Sequence, residues 1–216
     1  MKSRLPPAFG PRKMPVQARA ALTVEAIFEA TIQVLLSHGM ERLTTTRVAE
    51  RAGVSVGTLY QYYPNKQSLL FALLQQHMES VLGAVETACE QSRGAPLAEM
   101  LRNVVEQFVD AKMRRPDIST ALYRISADVD GPALLKRTGE RSRKALERMI
   151  KTAPDLPSAP EPFAIAMMYS AMAGATRSVL EAGASPTMVR KLREHLIVLC
   201  QSYMASVSQW RVSAER

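Results

Sequence analysis

Cysteine is nearly absent from this chain. The two present, Cys89 and Cys200, stand far apart at no metal-ligand or redox spacing. A disulfide scaffold is not indicated, and unpaired thiols in a reducing cytosol are expected. Long apolar runs are missing too. The longest uncharged one, residues 163–176, has fourteen residues, where a membrane span needs about twenty. It reads as a buried helix, and no membrane association is expected. The N-terminus lacks the apolar core of a secretory signal. β-Branched residues are scattered, and no stretch alternates cleanly over six positions, so strands are not indicated. Catalytic signatures are lacking as well: no glycine-rich phosphate loop, no G-x-S-x-G, no H-E-x-x-H and no close His/Cys/Asp cluster. His38, His77 and His195 are isolated and read as surface or packing residues. No catalytic residue, cofactor or metal is expected.

Helix formers are abundant instead: Ala, Leu, Met, Glu, Gln and Arg dominate. With 47% apolar and 22% charged residues over 216 positions, the chain is too apolar for global disorder. It is long enough for one large core, or for a small domain joined to a larger one. An all-α protein is expected. Charge is unevenly spread. Of the net +8, residues 1–66 carry +5, from nine Lys/Arg against four Asp/Glu, and the rest of the chain carries +3. The first third is the more basic per residue, which points to a polyanionic partner there.

Residues 1–22 read as a flexible basic arm, with Pro6, Pro7, Pro11 and Pro15 among Lys2, Arg4, Arg12, Lys13 and Arg19. Such an arm either enters a minor groove or serves as a solubilising tail. A helix over 23–38 places Ile27, Thr31, Val34 and Leu35 on one face and stops at Gly39. Thr44 or Thr45 caps a short helix to Ala52, Gly53 makes a left-handed turn, and Ser55 caps a third helix to about Tyr62. Asn65 caps a fourth, to about Cys89. Five more are expected, near 97–115, 117–127, 132–152, 161–182 and 186–207, with the proline-rich "APDLPSAPEP" as a connection.

One stretch concentrates unusual residues. "VAERAGVSVGTLYQYYPNK", residues 48–66, holds three of the six tyrosines. Small Ala49 permits two helices to approach closely, Gly53 turns the chain, and Val54 and Leu59 pack the second helix over the first. That is the spacing of a helix-turn-helix, over about 44–63, whose second helix enters the DNA major groove. Thr45 and Thr46 lie at a helix N-terminus, where hydroxyls and free N–H groups suit phosphate oxygens. Beyond the Ser55 cap, Val56 and Thr58 suit a thymine methyl, and Gln61 suits an adenine edge. Gly57 lets the helix come close to base edges, at a cost of about 0.5–1 kcal/mol relative to alanine. Tyr62 and Lys66 are expected on the phosphate backbone. Tyr60 fits either a partly buried position or a DNA contact, and Tyr63 fits a brace for the turn.

The segment "HG…LTTTRVAERAGVSVGTLYQYYPNKQSLLFALL" resembles the N-terminal domain of the TetR/AcrR family of transcriptional regulators. The resemblance runs nearly residue for residue over about 23–74. Beyond it, only length, helix count and helix pattern are similar. It implies a DNA-binding domain over 23–66, a helical effector-binding and dimerisation domain over 67–216, and a homodimer that usually represses. Double-stranded operator DNA and a small-molecule effector are the implied partners. Val56 is apolar where many relatives carry a polar or basic residue, so the operator sequence does not carry over.

In the long C-terminal part, the eighth expected helix has two faces. Ala171, Gly174, Ala175 and Ser178 form a stripe of small residues, and Ile165, Met168, Tyr169, Met172 and Val179 form a bulky one. The ninth carries Val189, Leu192, Leu196, Leu199 and Tyr203, beside Ile197, Cys200 and Met204. Two apolar faces on terminal helices suggest one for the subunit core and one for a partner. The small stripe with Leu192, Leu196, Leu199 and Tyr203 is the expected dimer contact, and the resemblance puts a four-helix bundle there. Phe108, Leu122, Tyr123, Met168, Tyr169 and Met172 are the candidate pocket lining, with plain core as the other reading. Two rival readings stand beside ligand control: an architectural DNA-binding protein, and a regulator sensing oxidation through Cys89 or Cys200.

Overall fold

The computed structural model describes residues 18–156 and 158–214, with side chains over 20–156 and 158–208. The described residues form nine α-helices and no strand. They are α1 (Ala18–Arg42), α2 (Thr45–Ala52), α3 (Val56–Tyr62), α4 (Lys66–Gln91), α5 (Leu97–Met113), α6 (Pro116–Ile125), α7 (Gly131–Ile150), α8 (Pro162–Glu181) and α9 (Pro186–Ala214). A 3₁₀ turn, Ser126–Val129, follows α6. The all-α expectation holds. The first helix starts at Ala18 rather than 23, because Ala18, Ala20, Ala21 and Leu22 are strong helix formers. The last outruns its expected end at 207, since no Gly or Pro follows Pro186. Lys2, Arg4, Arg12 and Lys13 lie outside the described residues, as does the side chain of Arg19.

The chain divides into two units. The first takes it up to His77 together with Ala121–Leu134, and the second takes Met78–Thr120 with Leu135 onward. In the first unit α2 packs on α1 and α3 on α2. The Ala20–Arg42 segment of α1 is apolar enough to cross a membrane by length and hydropathy. Here Ile27, Phe28, Thr31, Val34 and Leu35 are buried in the fold. Gly39, at φ 75°, interrupts the helical backbone near its end.

In the second unit α5 packs on α9 and α8, and α8 on α9. One core joins Val81 and Val85 of α4, Val104 and Phe108 of α5, Leu146 and Met149 of α7, and Met168 and Met172 of α8 to Leu196 and Cys200 of α9. Arg141 of α7 ties to α4 through Glu79 at 2.9 Å and Glu86 at 3.2 Å. The proline-rich connection does more than join helices. Pro96 leaves α5 without a side-chain cap of its own, and Asp155 supplies one from far along the chain, its Oδ1 accepting the Leu97 N–H at 2.9 Å. Beside it the Gly94 N–H donates to Thr152 Oγ1 at 2.9 Å. Asp155→Ala should therefore destabilise the second unit by about 1 kcal/mol, as loss of a helix cap does, read as a lower urea midpoint at unchanged slope.

Candidate nucleic-acid interface

The helix-turn-helix is assembled from local bonds that its sequence supplies. Thr44 caps α2, its hydroxyl accepting the Arg47 N–H at 3.3 Å. Gly53 is left-handed (φ 68°, ψ 29°) and its N–H bonds back to Ala49 and Glu50. The Val54 N–H reaches the Ala49 carbonyl at 3.0 Å, closing the turn. Ser55 Oγ accepts the Thr58 N–H at 2.9 Å and meets the Thr58 hydroxyl at 2.8 Å. Val48, Ala49 and Leu59 are fully buried. At the start of α4, Asn65 Oδ1 accepts the Ser68 N–H at 2.8 Å, and Ser68 Oγ accepts the Asn65 N–H at 3.2 Å, a reciprocal cap.

The three tyrosines part company. Tyr63 is buried against Phe28 with ring centroids 5.7 Å apart, so it braces the turn. Burial drives its phenol far above the usual range and keeps it neutral. Tyr60 is 38% exposed, and its hydroxyl meets the Thr45 hydroxyl at 3.0 Å, linking α3 to the first turn of α2. Tyr62 is half-buried, its ring 6.4 Å from that of Tyr63. Thr46, Ser55, Gly57 and Gln61 are exposed, and Val56 and Thr58 are half-exposed. Lys66 donates to the Met40 carbonyl at 3.4 Å. All ten expected DNA contacts thus fall in the first unit, on α2, α3 and the residues beside them.

Gly57 is the telling position. Its φ is not in the left-handed region, and an added Cβ would meet only Ser55 Oγ, at an ordinary 3.7 Å. Nothing inside the unit requires glycine there. Two exposed cations escaped the sequence reading: Arg47, whose guanidinium donates to the Arg42 carbonyl at 2.9 Å, and Arg51, bonded to Gln33 Oε1 at 2.6 Å. Their four-residue spacing on α2 was the available signal.

Of the candidate pocket residues, Phe108, Met168 and Met172 are buried in the second unit's core, and Tyr169 meets Phe108 edge-on at 6.3 Å. Leu122 and Tyr123 belong to the segment grouped with the first unit. Of the candidate dimer residues, Leu192 and Leu196 point into the chain's own core, and Ala175 and Tyr203 pack against it, half-buried. Ala171, Gly174, Ser178 and Leu199 are exposed. Four-residue spacing marked both helix faces as apolar, and it could not tell which one turns inward. Both thiols are buried, and burial pushes Cys89 up to about 12 and Cys200 to about 11. The thiolate that oxidation chemistry needs is therefore scarce near neutral pH.

Two matches cover most of the chain. Residues 27–73 match "Bacterial regulatory proteins, tetR family", and residues 96–204 match "Tetracyclin repressor-like, C-terminal domain". The chain belongs to the TetR family of transcriptional regulators. It is 30% identical over 116 residues to the HTH-type transcriptional repressor KstR of Rhodococcus jostii, 53% of each chain. It is 32% identical over 85 residues to the nucleoid occlusion factor SlmA of Haemophilus influenzae, 39% of this chain and 38% of that one. The chain thus spans about half the length of the curated relatives it matches, or less. The fold is shared with a tetR-family regulator from Streptomyces coelicolor, with a TM-score of 0.67 at 17% identity, over 91% of this chain and 85% of that one. It is shared too with LfrR from Mycobacterium smegmatis in complex with proflavine, with a TM-score of 0.57 at 22% identity, over 84% and 96%.

One buried cation stands out in the second unit. Lys112 on α5 is 3% exposed, and loss of water lowers its pKa from 10.5 to about 7. The unfolded chain then holds more protons than the folded one between pH 7 and 10.5. Stability is lowest below pH 7, where the charge is fully buried, and recovers as pH rises across that window. Lys112→Met should raise the melting temperature, by more at pH 6 than at pH 10. An equal gain at both pH values would show that the ammonium carries no burial cost.

Proposed function

We propose that this regulator is a ligand-controlled repressor. It binds a palindromic operator as a homodimer, works in the cytoplasm, and leaves DNA when a small molecule occupies its second unit. The observation that carries the DNA reading is Gly57. A helix interior accepts glycine at a cost of about 0.5–1 kcal/mol, and here neither backbone angle nor packing demands it. Close approach of α3 to base edges does. Around it, Thr46 and Ser55 face phosphate, Val56, Thr58 and Gln61 face bases, and Thr45, Tyr60, Tyr62 and Lys66 hold the backbone from either side. Gly57→Ala should leave the melting temperature equal or higher and weaken operator binding. Lys66→Ala should weaken binding to all sequences alike and reduce the salt slope by about one. Operator selection from a random duplex pool, followed by titration of these variants, tests the reading. Unchanged affinity in Gly57→Ala would remove α3 from the groove.

The dimer reading rests on exposed apolar side chains. Phe163 (68% exposed) and Met167 (48%) stand four residues apart on α8, in line with exposed Ala171, Gly174 and Ser178. Val198 (60%) and Leu199 (43%) stand out from α9, which packs on α8. Large side chains left exposed at helical spacing mark a surface that pairs, and two helices from each copy make a four-helix bundle. Leu199→Asp should produce monomers in sedimentation, with lower operator affinity. A dimeric variant would place the interface elsewhere.

Ligand control draws on the amount of helix beyond the DNA-binding unit, on the Met and Tyr residues of α8, and on the fold shared with a proflavine-bound protein. The single helix α4 links the functions covalently, starting with Lys66 and continuing through Val81 and Val85 in the second unit. A ligand shifts the DNA equilibrium only by its differential affinity for the two states. An inducer should therefore raise the melting temperature while weakening operator binding.

A further inference from the structure

Among the described buried residues Lys112 is the only charged one. Its place is well defined. One turn before it, the Phe108 ring meets Tyr169 of α8. Its own carbonyl accepts the hydroxyl of buried Ser119 on α6 at 2.8 Å. The next residue, Thr120, donates to the Leu180 carbonyl at the end of α8 at 3.3 Å. The first turn of α6 therefore clasps α5 at Lys112 and reaches α8 as well. On α8 the inward stripe is Met168, Met172, Thr176 and Leu180, each fully or almost fully buried. At Met113, one residue past Lys112, an open groove of about 470 Å³ begins between the ends of α5 and α9, with Pro116, Val189 and Arg193 in its lining.

A dry ammonium among rings, thioethers and hydroxyls is costly, and methionine or leucine would suit the packing better. Such a group is kept where its charge has a task. Unbranched methionines around it can repack to admit a guest. We propose that Lys112 is the recognition group of the effector site, and that the effector is an amphipathic anion: an apolar body among Phe108, Tyr169 and Met172, with a carboxylate on the Lys112 ammonium. This rests on the ligand-control reading and adds to it the chemical class of the ligand. Charge-assisted pairing in a dry site gives the affinity, and the apolar body excludes water from the pair.

The test uses the full chain, the Lys112→Met and Lys112→Gln variants, and two probes of one length, decanoate and decanol. Binding is read by calorimetry and by melting temperature. The wild type should bind decanoate about ten-fold more tightly than decanol. Both variants should lose that preference and keep their decanol affinity. Equal binding of the two probes by the wild type would overturn the proposal, as would failure of both to bind. A decanoate preference that survives in both variants would also overturn it, and would move the anion to Arg190 and Arg193 of the groove. Operator release by the organic fraction of a cell extract, measured alongside, reports on ligand control by itself. Release without any decanoate preference rejects the anion and leaves control standing, whereas a chain that binds decanoate but never releases DNA rejects control.

Discussion

Ala49 sets how closely the helices of the DNA-binding unit approach. It is fully buried, and its carbonyl receives the Val54 N–H that closes the turn. A larger side chain would push α3 outward and break that bond, and Gly53 has no other easy conformation in which to restore it. Everything presented to DNA hangs from this joint. Thr45 and Tyr60 meet hydroxyl to hydroxyl only because α2 and α3 cross this closely. Buried Tyr63, leaning on Phe28 of α1, holds the far end of α3 and so the start of α4. The recognition surface is rigid because its supports are short-range and fully bonded.

The second unit is built on another economy. Its helices are long, and their contacts are apolar, with polar clasps confined to the ends: Asp155 on the α5 terminus, Thr152 on Gly94, and Ser119 on Lys112. A core rich in methionine and held at its edges can change its interior packing while keeping its outline. That suits a unit that responds to a guest, and differs from the joint at Ala49, which must not yield.

The sequence was most legible where geometry is local. Caps at Ser55 and Asn65, the Gly53 turn and the buried face of α1 all follow from short-range rules, and the residues expected at DNA came together in one unit. Long-range facts were hidden. Asp155 reaches its helix across 58 residues, which no spacing rule reveals. On α9 the heptad-like set Leu192, Leu196, Leu199 and Tyr203 looked like one face. In the fold it wraps from core to surface, leaving Leu199 outside with Val198 and drawing Leu192 and Leu196 in. Periodicity finds a stripe, and only the neighbours decide its edges.

Gly57 and Lys112 are the two places where local rule and observed structure disagree without an internal remedy. A glycine sits in a helix that has room for a side chain, and a cation sits in a core that would pack better without one. Elsewhere propensity, capping and burial agree, as they must in a sequence that specifies one fold. Disagreement of this kind costs stability, and its use lies outside the folded chain. At Gly57 the missing side chain makes space on an exposed helix, so the partner is large and comes from outside. At Lys112 the extra charge lies inside a dry unit, so the partner is small and enters. The two departures differ in sign and in depth, and they ask for the two classes of ligand that one regulator has to connect.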